Sequence, residues 1–317
     1  MAPKVKTRIL KKAVSERRSH LGSLKSNLVT PATRVRYEKS LAYFFYYCDR
    51  TGFTHFTSIT GISACLVTYL ETMWAEGDSL SQAQDTVAAL ELEVADLKGS
   101  LKEPKRYIKC WRGLELPTKA TPILRSMVRA MASFALKQGL YRLALAITLG
   151  HVLCLRTGEL LTLRFSDLTF SPTCASVVAY LGRSKTGKRT NRSECAKSTD
   201  KAINIFAKAL QPDDDPGAYI IDVCEHTFRQ QFATLVAHIG LDPDKATPYS
   251  LRRGGATQHF RDGWSFTAIA ELGRWGSEAD CREYINDAGA ELALLSLTTI
   301  ASRRIEAAEA AFESAIS

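Results

Sequence analysis

The chain has 317 residues, 45% of them hydrophobic, and carries 42 Lys/Arg against 33 Asp/Glu for a formal charge of +9 at pH 7. That length buries a substantial core and predicts two domains. No run approaches the ~18 apolar residues of a membrane span, and the opening stretch "MAPKVKTRILKKAVSERRSH" lacks the apolar centre of a secretory signal, so no membrane is expected. The eight cysteines are scattered without a CxxC pair, which fits reduced intracellular thiols better than a zinc site or a disulfide framework.

Charge is laid down in stripes. Residues 1–50 hold 12 Lys/Arg against 3 Asp/Glu, residues 51–100 hold 1 against 7, residues 101–150 hold 10 against 2, and residues 151–200 hold 8 against 4. The remainder, 201–317, is acidic at 11 against 17. Basic blocks around a partly acidic body suit a phosphate backbone, whose counterions they release. A solvated basic surface fits composition equally well.

In chain order, residues 1–28 are polar, basic and weakly periodic, and predict a flexible arm. Thr30 and Pro31 then read as N-cap and first-turn proline of a long helix carrying the aromatic run Tyr43 to Tyr47. "SITGISACLVTYLETMWAEG" and "LSQAQDTVAALELEVADLKGSL" space their apolar residues by three and four, and "PKRYIKCWRGLEL" mixes basic and aromatic residues. An all-helical first domain over 29–115 follows, with Arg34, Arg36, Lys39, Lys105, Arg106 and Lys109 nominated as its contacts to a nucleic-acid backbone. Cations packed along a core tryptophan explain the last three at least as well. The proline-punctuated stretch 116–122, "LPTKATP", predicts a linker to a second domain over 123–317.

"ILRSMVRAMASFALKQG" and "LYRLALAITLGHVLCL" read as buried helices, and the second runs into "RTGELLTLRFSDL". Arg156 sits there between apolar runs and needs an anion; a structural pair with Glu159 is the simpler explanation when the residue is taken alone. "ASVVAYLGRSKTGKRTNRSE" supplies an alternating strand and a basic turn. Gly182, Gly187 and Lys188 have phosphate-loop spacing, but Arg189 occupies the place of the magnesium-binding hydroxyl and no buried helix follows. What remains is a cationic hairpin that presents Lys185 near its start.

In "TPYSLRRGGATQHFRDGWSFTAIAELGRWGSEADCREYI", Arg252 and Arg253 precede Gly254 and Gly255, whose lack of a side chain permits close backbone approach. Trp275 follows an apolar helix, and Tyr284 comes nine residues after it. Phosphodiester transfer without metal needs cations on the non-bridging oxygens, a proton donor for the leaving oxygen and a nucleophile. Arginine suits the first task through bidentate donors, and tyrosine the last, if neighbouring cations assist a phenol whose pKa is ordinarily about 10.

With these residues in view, the chain resembles the tyrosine recombinases, or phage-integrase family, from Thr121 to about Ile285 and more loosely across the first domain. Arg156 with Glu159 is similar to the family's first arginine box, Lys185 to its strand-turn lysine, Arg252 to the arginine of its second box, Trp275 to the late His or Trp as in Cre-like members, and Tyr284 to its nucleophile. The resemblance implies a mainly α fold with a small β-sheet: a two-domain clamp of an all-helical core-binding domain and a mixed α/β catalytic domain. It implies a site-specific recombinase acting inside the cell on double-stranded DNA. Tyr284 attacks the scissile phosphate, Arg156 and Arg252 bind it, Lys185 protonates the departing 5′-oxygen, Trp275 donates to a phosphate oxygen and Glu159 orients the arginine side. A 3′-phosphotyrosyl link stores the bond energy, and neither metal, ATP nor other cofactor is called for. Asp213 to Asp215, flanked by Pro and Gly, read as a solvated loop and not as a metal site.

One position departs from the pattern. Tyr249 stands three before Arg252 where the family has histidine, and a phenol is a poor base near neutrality. His259, seven residues after Arg252, is expected at the surface. Arg183, Lys188, Arg189, Arg253 and Arg274 complete the nominated DNA contacts. The tail helix, with Ile305, Ala308, Phe312 and Ile316 on one face, is expected to be exchanged between protomers of a homotetramer, two per DNA site, although docking on its own domain is also open. A catalytically weak or inactive DNA-binding relative, or an enzyme like the type IB topoisomerases, would carry much of the same sequence.

Overall fold

The computed structural model describes residues 15, 18–20, 23–53, 58–115, 119–182 and 193–316. They fall into two compact units, Met1–Pro117 and Thr118–Ser317. The described helices include none long and apolar enough to cross a membrane.

The described part of the first unit is helical. Helix α1 (Pro31–Thr51) begins where the Thr30 side chain accepts the Thr33 N–H and ends on Gly52 at φ +69°. Helices α2 (Ile59–Glu76) and α3 (Leu80–Glu93) are capped by Ser58 and Ser79, and α4 (Lys102–Leu114) completes the set. Serine and threonine caps satisfy amide donors that a helix start leaves unpaired. The core is aromatic: Phe44 meets Tyr69 edge-on at 5.3 Å, and Trp74 meets Trp111 at 5.3 Å and 87°. Of the predicted arm, residues 1–14, 16, 17, 21 and 22 lie outside the described residues, and 25–27 form a short 3-10 turn.

In the second unit, α5 (Arg125–Lys137) packs on α6 (Tyr141–Val152), whose residues from Leu143 onward are all buried. Short helix α7 (Thr157–Leu160) leads to an antiparallel sheet in the order β1 (Leu168–Phe170), β2 (Val177–Gly182), β3 (Glu194–Ser198). Helices α8 (Lys201–Ala209), α9 (Glu225–His238), α10 (Tyr249–Arg261), α11 (Phe266–Gly273), α12 (Glu278–Arg282), α13 (Asp287–Leu295) and α14 (Thr299–Ile316) follow. Residues 116–118 lie outside the described residues, and 119–122 are already tied to this unit, since the Thr121 N–H donates to the Lys245 carbonyl.

Gly254 and Gly255 let α10 pack at backbone distance. A Cβ on Gly254 would stand 1.8 Å from the Ile123 carbonyl oxygen, and one on Gly255 would stand 2.1 Å from that of His151. Within the single chain the tail helix takes the other expected course: α14 lies on α5 of its own unit, with Ile305 and Phe312 buried. Phe312 meets Phe206 edge-on at 6.3 Å, and Glu309 pairs with Arg129 at 3.3 Å. Its apolar stripe thus finds a partner within the same chain. The Ile316 side chain lies outside what is described.

Candidate active site

Four remote segments meet at one point in the second unit. Helix α6 stops at Val152, Cys154 turns the chain at φ +47°, and Arg156 becomes the N-cap of α7 and not a residue on a continuing helix. The Glu159 carboxylate accepts the Arg156 backbone N–H at 2.8 Å and its Nη1 at 2.5 Å, so the predicted partner serves as cap and counter-charge together.

Arg252, on the first turn of α10, has 0% exposure. Its Nη1 donates to the Cys154 carbonyl at 2.5 Å and its Nη2 to the Gly273 carbonyl at 2.6 Å. No carboxylate pairs with it; the guanidinium lies 4.4 Å from the Trp275 ring and 5.3 Å from the Tyr284 ring. Burial, and then the charges of Arg156 and Arg274, push its pKa below the ordinary arginine value. A buried, crowded guanidinium without a carboxylate has unmet demand for an anion.

Trp275 is placed by Gly273, where any Cβ would fall 1.7 Å from the indole. The indole N–H is buried and meets no oxygen in good hydrogen-bonding geometry, yet it lies close enough to the Tyr284 oxygen to help lower that phenol's pKa. The Trp275 and Tyr284 rings are 4.5 Å apart, and the Tyr249 and Tyr284 rings 5.7 Å apart. Burial raises the Tyr284 phenol, but the neighbouring Tyr249 hydroxyl and Trp275 indole N–H and the Arg252 charge outweigh it, leaving the pKa below the usual tyrosine value. Tyr249 moves the opposite way, up, through burial and through the neighbouring Tyr284 phenol.

The nominated cations separate into groups. Lys185, Arg183, Lys188 and Arg189 lie outside the described residues; the strands that bracket them are paired, with Gly182 opposite Glu194. Arg274 is corrected as a DNA contact: its side chain is 6% exposed and turned inward onto Glu159 at 2.6 Å. Arg253 is likewise buried, donating to the Glu283 carbonyl at 2.9 Å. In the first unit Arg34 reaches Glu93, Arg36 reaches Asp85, Lys105 reaches Glu91 and Arg106 reaches Glu103, whereas Lys39 lies 5.8 Å from the Tyr43 ring and Lys109 is exposed. His259 is also corrected. It is half-buried, with Nε2 3.2 Å from the Val152 carbonyl and its ring 4.4 Å from Trp264, because α10 packs against the end of α6.

One participant was not foreseen. Glu194 of β3 brings its Oε2 3.6 Å from Arg156 and 3.5 Å from Arg274. Among the described residues, three guanidiniums (Arg156, Arg252, Arg274) therefore face two carboxylates (Glu159, Glu194), a surplus of one positive charge that matches one phosphodiester. A lone glutamate in the basic stretch "NRSECAK" was the available sequence signal. Asp213 to Asp215 lie on the loop between α8 and α9, and among the described residues no cluster of His, Cys, Asp and Glu is placed to hold a metal ion.

Residues 124–291 match the phage integrase family. No curated protein matches the chain. Among solved structures, the site-specific recombinase XerH bound to its difH substrate in a pre-cleavage complex is 16% identical with a TM-score of 0.58, over 79% of this chain and 75% of that one. The lambda integrase dimer bound to a COC′ core site is 16% identical with a TM-score of 0.56, over 91% and 82%. The Tn1549 transposon integrase with transposon right-end DNA is 13% identical with a TM-score of 0.58, over 94% and 98%. At such identities the likeness establishes the fold, and the family match, covering more than half of the sequence, establishes kinship: the chain belongs to the phage integrase family, the tyrosine-type site-specific DNA recombinases.

Proposed function

We propose that this recombinase cuts and rejoins double-stranded DNA with Tyr284 as its nucleophile. The Tyr284 oxygen forms a bond to phosphorus as the P–O5′ bond breaks, leaving a 3′-phosphotyrosyl link, and the 5′-oxygen takes a proton from Lys185. Arg156 and Arg252 hold the non-bridging oxygens, Trp275 donates to one of them, and Glu159 keeps Arg156 oriented. A free 5′-hydroxyl from a second duplex then attacks the phosphotyrosine, restoring the phenol and completing strand exchange. The single observation behind this reading is the convergence on one another of Arg156, Arg252, Trp275 and Tyr284, from segments far apart in sequence, with a net positive charge left over.

Contacts outside the reacting centre fall to the hairpin cations Arg183, Lys188 and Arg189 and to one face of α1. There Arg36, Lys39, Tyr43, Tyr46 and Arg50 recur at three- and four-residue spacing, opposite the buried Ser40, Phe44 and Cys48. A homotetramer, two protomers per site, fits the exchange of strands between two duplexes; lambda integrase forms a tetramer bound to a Holliday junction. The protein works inside the cell, wherever its DNA lies.

The test is covalent capture. A duplex selected by the protein from a random pool, nicked beside the cleavage point so that the cut fragment diffuses away, should trap wild type in a covalent band. Tyr284→Phe should give equal binding and no band. Equal binding with no band from either protein would favour a non-catalytic relative, and relaxation of supercoiled plasmid without recombinant product would favour a topoisomerase.

A further inference from the structure

We infer that Arg274 is a positioning residue whose two-carboxylate bridge holds Arg156 in place and keeps the site's surplus charge positive. The inference rests on the recombinase reading above. Arg274 ends α11 as a C-cap at φ +58°, ψ +42°, a left-handed conformation that glycine adopts without strain and a residue with a Cβ does not. Glycine stands close by on either side, at Gly273 and Gly276, so the position uses the side chain and not the backbone.

That side chain turns into the protein. Nη1 donates to the Leu272 carbonyl at 2.8 Å and to that of Leu153 at 3.3 Å; Nη2 donates to Glu159 at 2.6 Å and to the Cys154 carbonyl at 3.4 Å. Nε stands 3.5 Å from Glu194. One guanidinium thus joins three elements: the α6–α7 turn that carries Arg156, strand β3, and the α11 end that carries Trp275. Its carboxylate partners are 8% and 13% exposed, so neither can turn to water when unpaired.

Without Arg274, Glu159 and Glu194 would have Arg156 as their nearest cation among the described residues, at 2.5 and 3.6 Å. Two guanidiniums would then face two carboxylates. The phosphate would face one positive charge fewer, and Arg156 would be drawn toward the acids and away from the non-bridging oxygens. Arg274 touches no reacting atom; its effect passes through Glu159 and Glu194.

The experiment measures single-turnover covalent capture and DNA affinity for wild type, Arg274→Met, and Arg274→Met combined with Glu194→Gln, with thermal unfolding as the check on folding. Arg274→Met should lower the capture rate about 100-fold, the scale on which one preorganised cationic or hydrogen-bonding group acts, with DNA affinity within about threefold because the side chain is shielded. Adding Glu194→Gln restores the positive surplus and should recover at least about tenfold of the rate. Should Arg274→Met fail to fold, Arg274→Gly replaces it, since glycine suits the backbone there. Capture by the single variant at the wild-type rate, or no recovery on neutralising Glu194, overturns the inference; a loss confined to DNA affinity does so too and returns Arg274 to the DNA contacts. Absence of a band from wild type itself overturns the recombinase reading instead.

Discussion

The Tyr249 and Tyr284 rings lie 5.7 Å apart, and each phenol shifts the other's pKa, Tyr249 upward and Tyr284 downward. The residue standing where the family has histidine is therefore a neighbour of Tyr284. A donor to the phenol oxygen stabilises the phenolate more than the phenol and lowers the pKa of Tyr284. Removing the donor in Tyr249→Phe should raise it. The rate of covalent capture should then rise with pH along a limb displaced upward, with a deficit of about tenfold near neutrality that closes as the medium becomes more alkaline than either pKa. A deficit independent of pH would mean that Tyr249 acts only by packing.

The cis docking of α14 has its own consequence. Phe312 is 0% exposed against Phe206, so Phe312→Ala should cost about 3–5 kcal/mol of unfolding free energy, measured by urea titration. Because the contact lies within one chain, the loss should be the same at low and high protein concentration. A loss that grows on dilution would assign the helix to a neighbouring protomer.

His151 is 3% exposed in the middle of the α6 packing, and its Nε2 has no hydrogen-bond partner. Burial first, then the nearby His259, Arg125 and Arg129, lower its pKa to about 3 from an ordinary 6.5. Above 6.5 both folded and unfolded chains hold it neutral and it costs nothing. Below 6.5 the unfolded chain binds the proton and the folded chain does not, so stability falls by about 1.4 kcal/mol per pH unit until about pH 3. Unfolding at pH 5 should accordingly require about 2 kcal/mol less than at pH 7 through this residue. His151→Leu should flatten that dependence; an unchanged slope would locate the acid sensitivity elsewhere.

What was legible in the sequence followed from local chemistry. The Thr30–Pro31 start of α1, the buried α6, and the strands on either side of the basic hairpin all carry their signals in adjacent residues. So did Gly254 and Gly255, whose close approaches to Ile123 and His151 are what a double glycine beside an arginine suggests. Less legible were partnerships set by distant packing. Arg274 looks like a surface cation in one dimension, and only the meeting of α11, β3 and the α6–α7 turn gives it two carboxylates. His259 moved from expected surface to half-buried for the same reason, since nothing near it in sequence announces the end of α6. Arg156 fell between these cases: its need for an anion was legible, but its place as a cap depended on a chain reversal at Cys154.

Arg252 is roofed by the indole of Trp275 and the phenol of Tyr284 while its own donors are turned onto carbonyl oxygens. Free orthophosphate and nucleotides, abundant in any cell, meet a lid of two aromatic rings before they meet that guanidinium. On the proposed reading, a ligand held at many points, such as a long duplex, would be the one able to displace the Tyr284 ring and reach the cation beneath. If Tyr284 is the nucleophile, its readiness would then depend on that duplex being in hand and not on a small anion.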